Sequence, residues 1–492
     1  MKGIQDKKLR GKVKYTERLA SDAQFLAAKA DEWLLPAEAG SLEAEGMERT
    51  YRFKQEDIRS AVDVGAARKA FDLSLTELGP YCLDYSRDGS HLLLGGKRGH
   101  LAEFQWQQSK LRCEVQVKEL VRDVKFLHSS QFFAAAQKKY VYIYDSRGLE
   151  VHCLREHREV HRLDFLPHHF LLASTGEGGV LRYQDTTTGQ IVAQHKTRLG
   201  LCDVMRQNPW NAVMCLGHAN GTVTMWTPNL TTPAVKMLCH RGPVRALAVD
   251  PTGHYLVTSG VDCQVKVWDV RTLKPLHQYF SANTVECLDV SQRGMLAAGY
   301  GRRVQIWKDA LQTKQAAPYM THSLVTGVLR DLSFCPYEDV LALGHSAGLT
   351  TLLVPGSGEP NFDSFVANPY ATRRQRQELE VHQLLDKLQP DTIVLDPDQV
   401  GRVIKEPKEV QRERIEAAKE ANAARVKEQR EQNEKKSKMK GKNKPSRRRV
   451  AARPRPSQTL ASSLTAPSSS LSGTRRSSST SSRSGCRRSR RG

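Results

Sequence analysis

The stretch His240 to Val270, HRGPVRALAVDPTGHYLVTSGVDCQVKVWDV, decides the fold. It parses as strand, turn, strand, turn, strand: an apolar run through Leu247 stops at the turn Asp250-Pro251-Thr252-Gly253, HYLVTSG follows, and QVKVW alternates up to Asp269. Period-two alternation broken by Pro, Gly and Asp marks short antiparallel strands joined by tight turns. Working outward, the start of this unit recurs at Leu83, Val124, Leu163, Val204, Leu247, Leu288 and Leu332, at spacings of 39 to 44 residues. A second series, Phe104, Tyr144, Gln184, Trp226, Trp268, Trp307 and Leu353, marks the closing strand of each unit; both series span 249 residues in six steps, a mean period of 41.5. Self-similar units of about 40 residues made of short strands are the signature of propeller blades. The sequence therefore predicts an all-β fold, a seven-bladed β-propeller over residues 71–356. Phe71-Asp72-Leu73-Ser74-Leu75 alternates just ahead of blade one and is placed to supply the outer strand that closes blade seven.

The unit His240 to Asp269 resembles the WD-repeat family, ending in a literal Trp268-Asp269. The resemblance implies that His240, Ser259, Asp262 and Trp268 form that family's structural tetrad, with Asp262 orienting the imidazole, the ring meeting Ser259, and Ser259 meeting the indole N–H. A catalytic Ser/His/Asp set is the competing reading, but the tryptophan and the 41-residue period account for every member together. Gly344-His345-Ser346-Ala347-Gly348 matches a GxSxG nucleophile elbow letter for letter. The elbow requires a helix after the serine, and here the β-rich LTTLLV (Leu349 to Val354) follows. Gly176 to Gly179 and Gly299 to Gly301 lack the Lys-Ser/Thr ending of a phosphate-binding loop and fall at blade turns. His157, His161, His168 and His169 lie on turn and strand rather than on one helical face, and are expected at the surface rather than around a metal. No catalytic, cofactor-binding or metal-ligating set is expected, and no cofactor.

Composition narrows the class further. The 492 residues carry a formal charge of +22, but Lys435 to Gly492 holds 18 Lys and Arg with no Asp or Glu, leaving 57 basic against 53 acidic residues before it. A like-charged block of that length repels itself, builds no core, and suits a polyanion or a transport receptor. Within it Lys435, Lys436, Lys438, Lys440, Lys442, Lys444, Arg447, Arg448 and Arg449 are the candidate nuclear signal and contacts to an RNA backbone. The ten cysteines are never closer than 13 residues, so no CxxC pair exists. No apolar run approaches the roughly 18 residues of a membrane span, and the basic N-terminus MKGIQDKKLRGKVKYTE is not followed by the apolar stretch of a secretory leader.

The flanks divide as residues 1–70, a helical and extended arm; 357–397, a C-terminal segment; 398–434, a charged helix; and 435–492, a disordered tail with 14 serines from Ser457 onward. In the arm, Leu19, Ala23, Leu26, Ala30 and Trp33 predict one helix before Pro36, and Ile58, Val62 and Ala66 a second. Their apolar faces either pack on the side of the propeller or dock another protein. Arg373 to Leu388 predicts an amphipathic helix with Leu379, Leu384, Leu385 and Leu388 on its apolar face, and Ile393 to Asp396 a short extended end. Phe362, Phe365, Tyr370, Arg373, Arg374 and Arg376 mix aromatic and guanidinium groups in the way a specific contact to protein or structured RNA requires.

Three segments carry a more discriminating resemblance: ERTYRFKQEDI (Glu48 to Ile58), FDLSLTELGPYCLDYSRDGSHLLLGGKRGHLAEF (Phe71 to Phe104) and EPNFDSFVANPYATRRQRQELEVHQLLDKLQPDTIVLDP (Glu359 to Pro397). Together they resemble the nucleolar WD-repeat family of the small-subunit processome, which pairs a propeller with its own C-terminal domain, here about residues 320–397 and overlapping blade seven. The resemblance covers about residues 1–434; the serine-rich end departs from a Lys-rich ending. It implies a non-catalytic scaffold in the nucleus and nucleolus, required for ribosomal precursor RNA processing and small-subunit assembly. The implied partners are processome proteins, other propellers among them, together with precursor RNA and the U-three small nucleolar RNA particle, and neither a membrane nor a small-molecule substrate. The rival reading is a substrate receptor of a cullin ubiquitin ligase, from the WDxR pattern Trp268-Asp269-Val270-Arg271.

Overall fold

A computed structural model describes residues 6–33, 39–361 and 368–397, together with Glu416, Lys419 and Lys427. Seven four-stranded antiparallel sheets follow one another around a central channel. Their innermost strands are Tyr81–Tyr85, Val121–Phe126, Val160–Leu166, Val204–Gln207, Val244–Val249, Cys287–Val290 and Leu329–Phe334, each holding one residue of the first repeat series. The third strands likewise each hold one residue of the second series, as Trp268 does in Gln264–Asp269. Middle strands such as Leu92–Gly96, Leu171–Gly176 and Val340–His345 are buried on both faces because each blade is sandwiched between two neighbours, so they read as apolar runs. Outer strands are mostly exposed, as in Lys110–Gln116.

The ring is closed by the N-terminal flank. Asp72–Ser74 pairs antiparallel with Gly348–Leu353, so blade seven takes its fourth strand from the chain ahead of blade one. A second closure is repeated around the channel: carboxylates on the inner strands accept the backbone N–H of the following blade. Asp84 accepts from Phe126 N (2.7 Å), Asp123 from Leu163 N (2.8 Å), Asp164 from Gln207 N (2.8 Å), Asp289 from Phe334 N (2.8 Å) and Asp331 from Leu83 N (3.1 Å). Buried carboxylates need such partners and nearby cations. Lys125 lies 2.7 Å from Asp84 and 3.8 Å from Asp164, and Arg162 lies 3.7 Å from Asp123.

The arm comprises α1 (Lys7–Trp33), α2 (Gln55–Ala61) and α3 (Val64–Ala67). The expected second helix is thus two short ones, broken where Val62 turns extended before the N-cap Asp63. Ile58 is 4% exposed, and Gln55 bonds both backbone groups of Leu353 (3.0 Å each), so this part of the arm packs on blade seven. The described side chains of α1, Lys7 to Gln24, are exposed apart from the half-buried Val13. The charged helix expected at 398–434 lies largely outside the described residues, and the basic tail, with Lys435 to Arg449, entirely so.

Candidate functional site

In blade five the hydrogen-bonded chain runs through a different hydroxyl from the one expected. His240 Nδ1 lies 3.0 Å from Asp262 Oδ1, His240 Nε2 lies 2.8 Å from Thr258 Oγ1, and Trp268 Nε1 donates to the same Thr258 oxygen at 3.0 Å. Ser259 is one residue along the strand and therefore faces the other side of the sheet, where its hydroxyl donates to Val285 O at 2.8 Å. Thr258 takes the place assigned to Ser259. Burial pushes the His240 imidazole below its usual range against the pull of Asp262, which fits a neutral ring with its proton on Nδ1. Thr258 and Ser259 are fully buried, and the imidazole meets the threonine rather than the serine, so no Ser/His/Asp relay is assembled among these residues.

His157 is another correction. It is fully buried, with Nδ1 2.6 Å from Ser174 Oγ, and burial pushes it down to about 4; it belongs to the core of blade three rather than to the surface. His169 is also buried, and meets Thr392 at 3.0 Å. His161 is half-buried and His168 exposed. Ser346 sits in the hairpin between Val340–His345 and Gly348–Leu353, where its hydroxyl accepts from Val328 N at 3.0 Å; no helix follows it. Arg271 folds back on Asp269, Nε to Oδ1 3.4 Å.

The C-terminal segment forms a strap across one end of the propeller. Thr372 caps α4 (Arg373–Leu385) in a reciprocal box with Gln375: Thr372 N donates to Gln375 Oε1 (2.9 Å), and Gln375 N to Thr372 Oγ1 (3.4 Å). From there the strap is tied blade by blade. Glu380 meets His128 (3.0 Å), Leu388 N donates to His168 O (3.0 Å), Lys387 reaches Asp185 and Thr187, Asn229 donates to Asp391 O (2.9 Å), and Asn211 to Leu395 O (3.0 Å). Ile393 is fully buried in the apolar cluster that includes Leu171, Val213 and Met214. A 3-10 turn, Pro390–Thr392, precedes the expected extended end and delivers this plug, with Ile393 itself in extended backbone. Leu379 is half-buried, but Leu384, Leu385 and Leu388 are exposed, with Val381: polar and ionic ties hold the helix down, and most of its apolar face points outward.

Beneath the first turns of α4 lies a cleft of about 650 Å³. Arg373 and Arg376 line it from the helix, and Arg87, Arg112 and Arg147 from blades one and two. Arg112 pairs with the buried Glu103 (2.8 Å), whose carboxyl burial pushes up to about 7. Asp88, on the same wall, is taken up by the hydroxyls of Ser86 and Ser90. The guanidinium groups therefore outnumber the carboxylates left to meet them, and planar donors in a concave wall suit a phosphate or carboxylate oxygen. Of the six residues picked from the sequence, Arg373 and Arg376 come together here. Arg374 turns outward to Glu378 (3.1 Å), Tyr370 is 75% exposed ahead of the helix, and Phe362 and Phe365 lie outside the described residues. Arg87, Arg112 and Arg147 escaped notice because only the fold brings separate blades together; the one local signal was the turn Ser86-Arg87-Asp88-Gly89.

Fold and blade chemistry define a WD-repeat propeller with a strapped C-terminal extension, and residues 232–269 match the model of the WD domain, G-beta repeat. Residues 318–396, the last strand of blade six, blade seven and the strap, match the BING4CT (NUC141) domain. The chain is 44% identical over 418 residues to U3 small nucleolar RNA-associated protein 7 of Saccharomyces cerevisiae, covering 82% of this chain and 75% of that protein. It is 48% identical over 416 residues to WD repeat-containing protein 46 of Homo sapiens (83% and 68% covered) and 42% identical over 421 residues to its namesake in Caenorhabditis elegans (84% and 70%). The chain belongs to the family of these proteins.

Proposed function

We propose that the protein is a non-catalytic scaffold of the small-subunit processome, serving ribosomal precursor RNA processing and small-subunit assembly in the nucleolus. One observation carries the reading: the strap, with the cleft arginines Arg373 and Arg376, falls within residues 318–396, the part that matches a domain model of its own, in a chain whose relative is named for association with U3 small nucleolar RNA. The propeller supplies a rigid disc, the strap a basic docking cleft, and the exposed α1 a second arm for a neighbouring protein. Its partners are processome proteins, precursor RNA and the U3 particle. The basic tail adds salt-sensitive backbone affinity and nuclear entry without choosing a partner.

The test separates cleft from tail. A chain ended after Glu434 and given a foreign nuclear signal should still enter nucleolar pre-ribosomal particles. Arg373→Ala/Arg376→Ala should melt like the parent, since both side chains are exposed, yet be depleted severalfold from those particles. Loss of the truncated chain from the particles, or full retention of the double variant, contradicts this assignment.

A further inference from the structure

At the opposite end of the channel from the strap, the inner strands open into a second basic concavity. The cleft takes residues that follow inner strands, such as Ser86 to Asp88 after Tyr85; here the lining comes from residues around the inner-strand starts, joined by Lys97 and Val261 from the turns after the second strands. Val121-Arg122, Val244-Arg245 and Leu329-Arg330 open three of these strands with the same apolar-Arg pair, and the three arginines converge with Arg162 and Lys97 on a funnel of about 670 Å³. Only two carboxylates face them, Asp203 and Glu286.

The funnel differs from the channel beneath it. Inside, the carboxylates are consumed by inter-blade hydrogen bonds and balanced by Lys125, Arg162 and Arg206. At the mouth, the Arg245 and Arg330 side chains are exposed and make no hydrogen bond or ion pair among the described residues. Arg122 has only a long contact to Val160 O (3.4 Å). Folding does not use these charges, and crowding like charges around a concavity opposes it. They are arranged for a negative ligand.

We propose that this mouth is a receptor for an acidic peptide segment of a partner protein. The lining decides between peptide and RNA. Single-stranded nucleic acid is held by aromatic stacking platforms beside its charge contacts, and no Phe, Tyr or Trp lines the funnel; its one aromatic ring is the half-buried His161, 3.9 Å from Asp203, which is no platform for successive bases. Its uncharged lining is mostly apolar instead, with Pro80, Leu120 and the 41% exposed Val261 beside Cys82, Val121 and Thr284. Arginine forks over aliphatic contacts match alternating Asp or Glu and apolar side chains, and a concavity of this size takes a short segment rather than a folded surface.

The probe is a short fluorescent peptide of alternating Glu and Leu carrying a photo-crosslinker, compared with a short oligouridylate, on the full chain at physiological salt. The peptide should crosslink to the inner-strand starts of blades two, five and seven. Arg245→Ala/Arg330→Ala should weaken it about tenfold or more without shifting the melting temperature, leaving oligouridylate affinity unchanged. Arg373→Ala/Arg376→Ala should leave the peptide unaffected. Crosslinks confined to the basic tail or the strap cleft, unchanged peptide affinity in the mouth variant, or loss of oligouridylate there instead would each overturn the proposal. None of these outcomes bears on the assignment to the processome, which rests on the other end of the molecule.

Discussion

Thr258 is the residue on which blade five turns, since its one hydroxyl serves both the imidazole of His240 and the indole of Trp268. Thr258→Val keeps the shape, leaves both nitrogens without a partner in a buried site, and should cost about 2 to 3 kcal/mol; Ser259→Ala removes a single bond to Val285 O and should cost about 1 kcal/mol. Denaturant melts rank the two, and a larger loss for Ser259→Ala would return the tetrad to the serine. The sequence announced His240, Asp262 and Trp268 through a literal motif, whereas two adjacent hydroxyls are told apart only by which face of the strand each occupies, a question of register that one sequence does not settle. Buried histidines also set a pH dependence. His91, His157, His169 and His218 are each pushed down to about 4, burial being the leading cause. Their unfolded forms take up protons near 6.5 while the folded forms do not, so the stability they support is present above that value and is lost as pH falls toward 4. Asp123, raised to about 6, and Glu103, raised to about 7, act in the opposite sense, but the four histidines outnumber them. The melting temperature should therefore drop between pH 6.5 and about 4. A flat or rising profile over that interval would mean these rings are charged or solvated in the folded protein.

At the scale of elements, the strand Asp72–Ser74 joins the two ends of the propeller, and Gly348 is the residue that lets it in. Gly348 has φ +142°, and a Cβ there would lie 1.9 Å from Leu73 O. Gly348→Ala should push the closing strand off, cost about 2 to 4 kcal/mol, and speed hydrogen exchange at the Thr351 and Leu75 amides, which donate across to Phe71 O and Ala347 O, well ahead of the middle strands. Exchange rates unchanged at those amides would show that closure does not depend on this strand. The closing strand was legible in Phe71 to Leu75 because a blade lacking its outer strand must find one, and an alternating run stood directly ahead of blade one. The strap was less legible. Its Leu-rich periodicity suggested a helix packed by its apolar face, whereas Glu380, Lys387 and the plug Ile393 fasten it and leave Leu384, Leu385 and Leu388 outward. Periodicity reports that a helix has an apolar face; it does not report what covers that face. Because Ile393 fills the core, deleting 359–397 would damage blades as well as remove contacts, and substitutions at Arg373 and Arg376 are the cleaner probe.

For the whole molecule, two opposite ends of one channel carry surplus arginine, a cleft under the strap and a funnel at the inner-strand starts. A disc with two chemically distinct faces and a basic tail is suited to holding neighbours in a fixed relation. The blade count was legible because repeats force periodicity on the sequence, whereas the funnel was invisible because it draws single residues from several blades, and of the cleft only Arg373 and Arg376, neighbours on one helix, could be read. The most direct measurement is affinity purification of the full tagged chain from nucleolar extract after ultraviolet crosslinking, with the bound RNA sequenced and the bound proteins identified. U3 small nucleolar RNA and ribosomal precursor RNA should be recovered in a large particle with processome proteins; recovery of a cullin ligase adaptor with neither RNA would contradict the scaffold role.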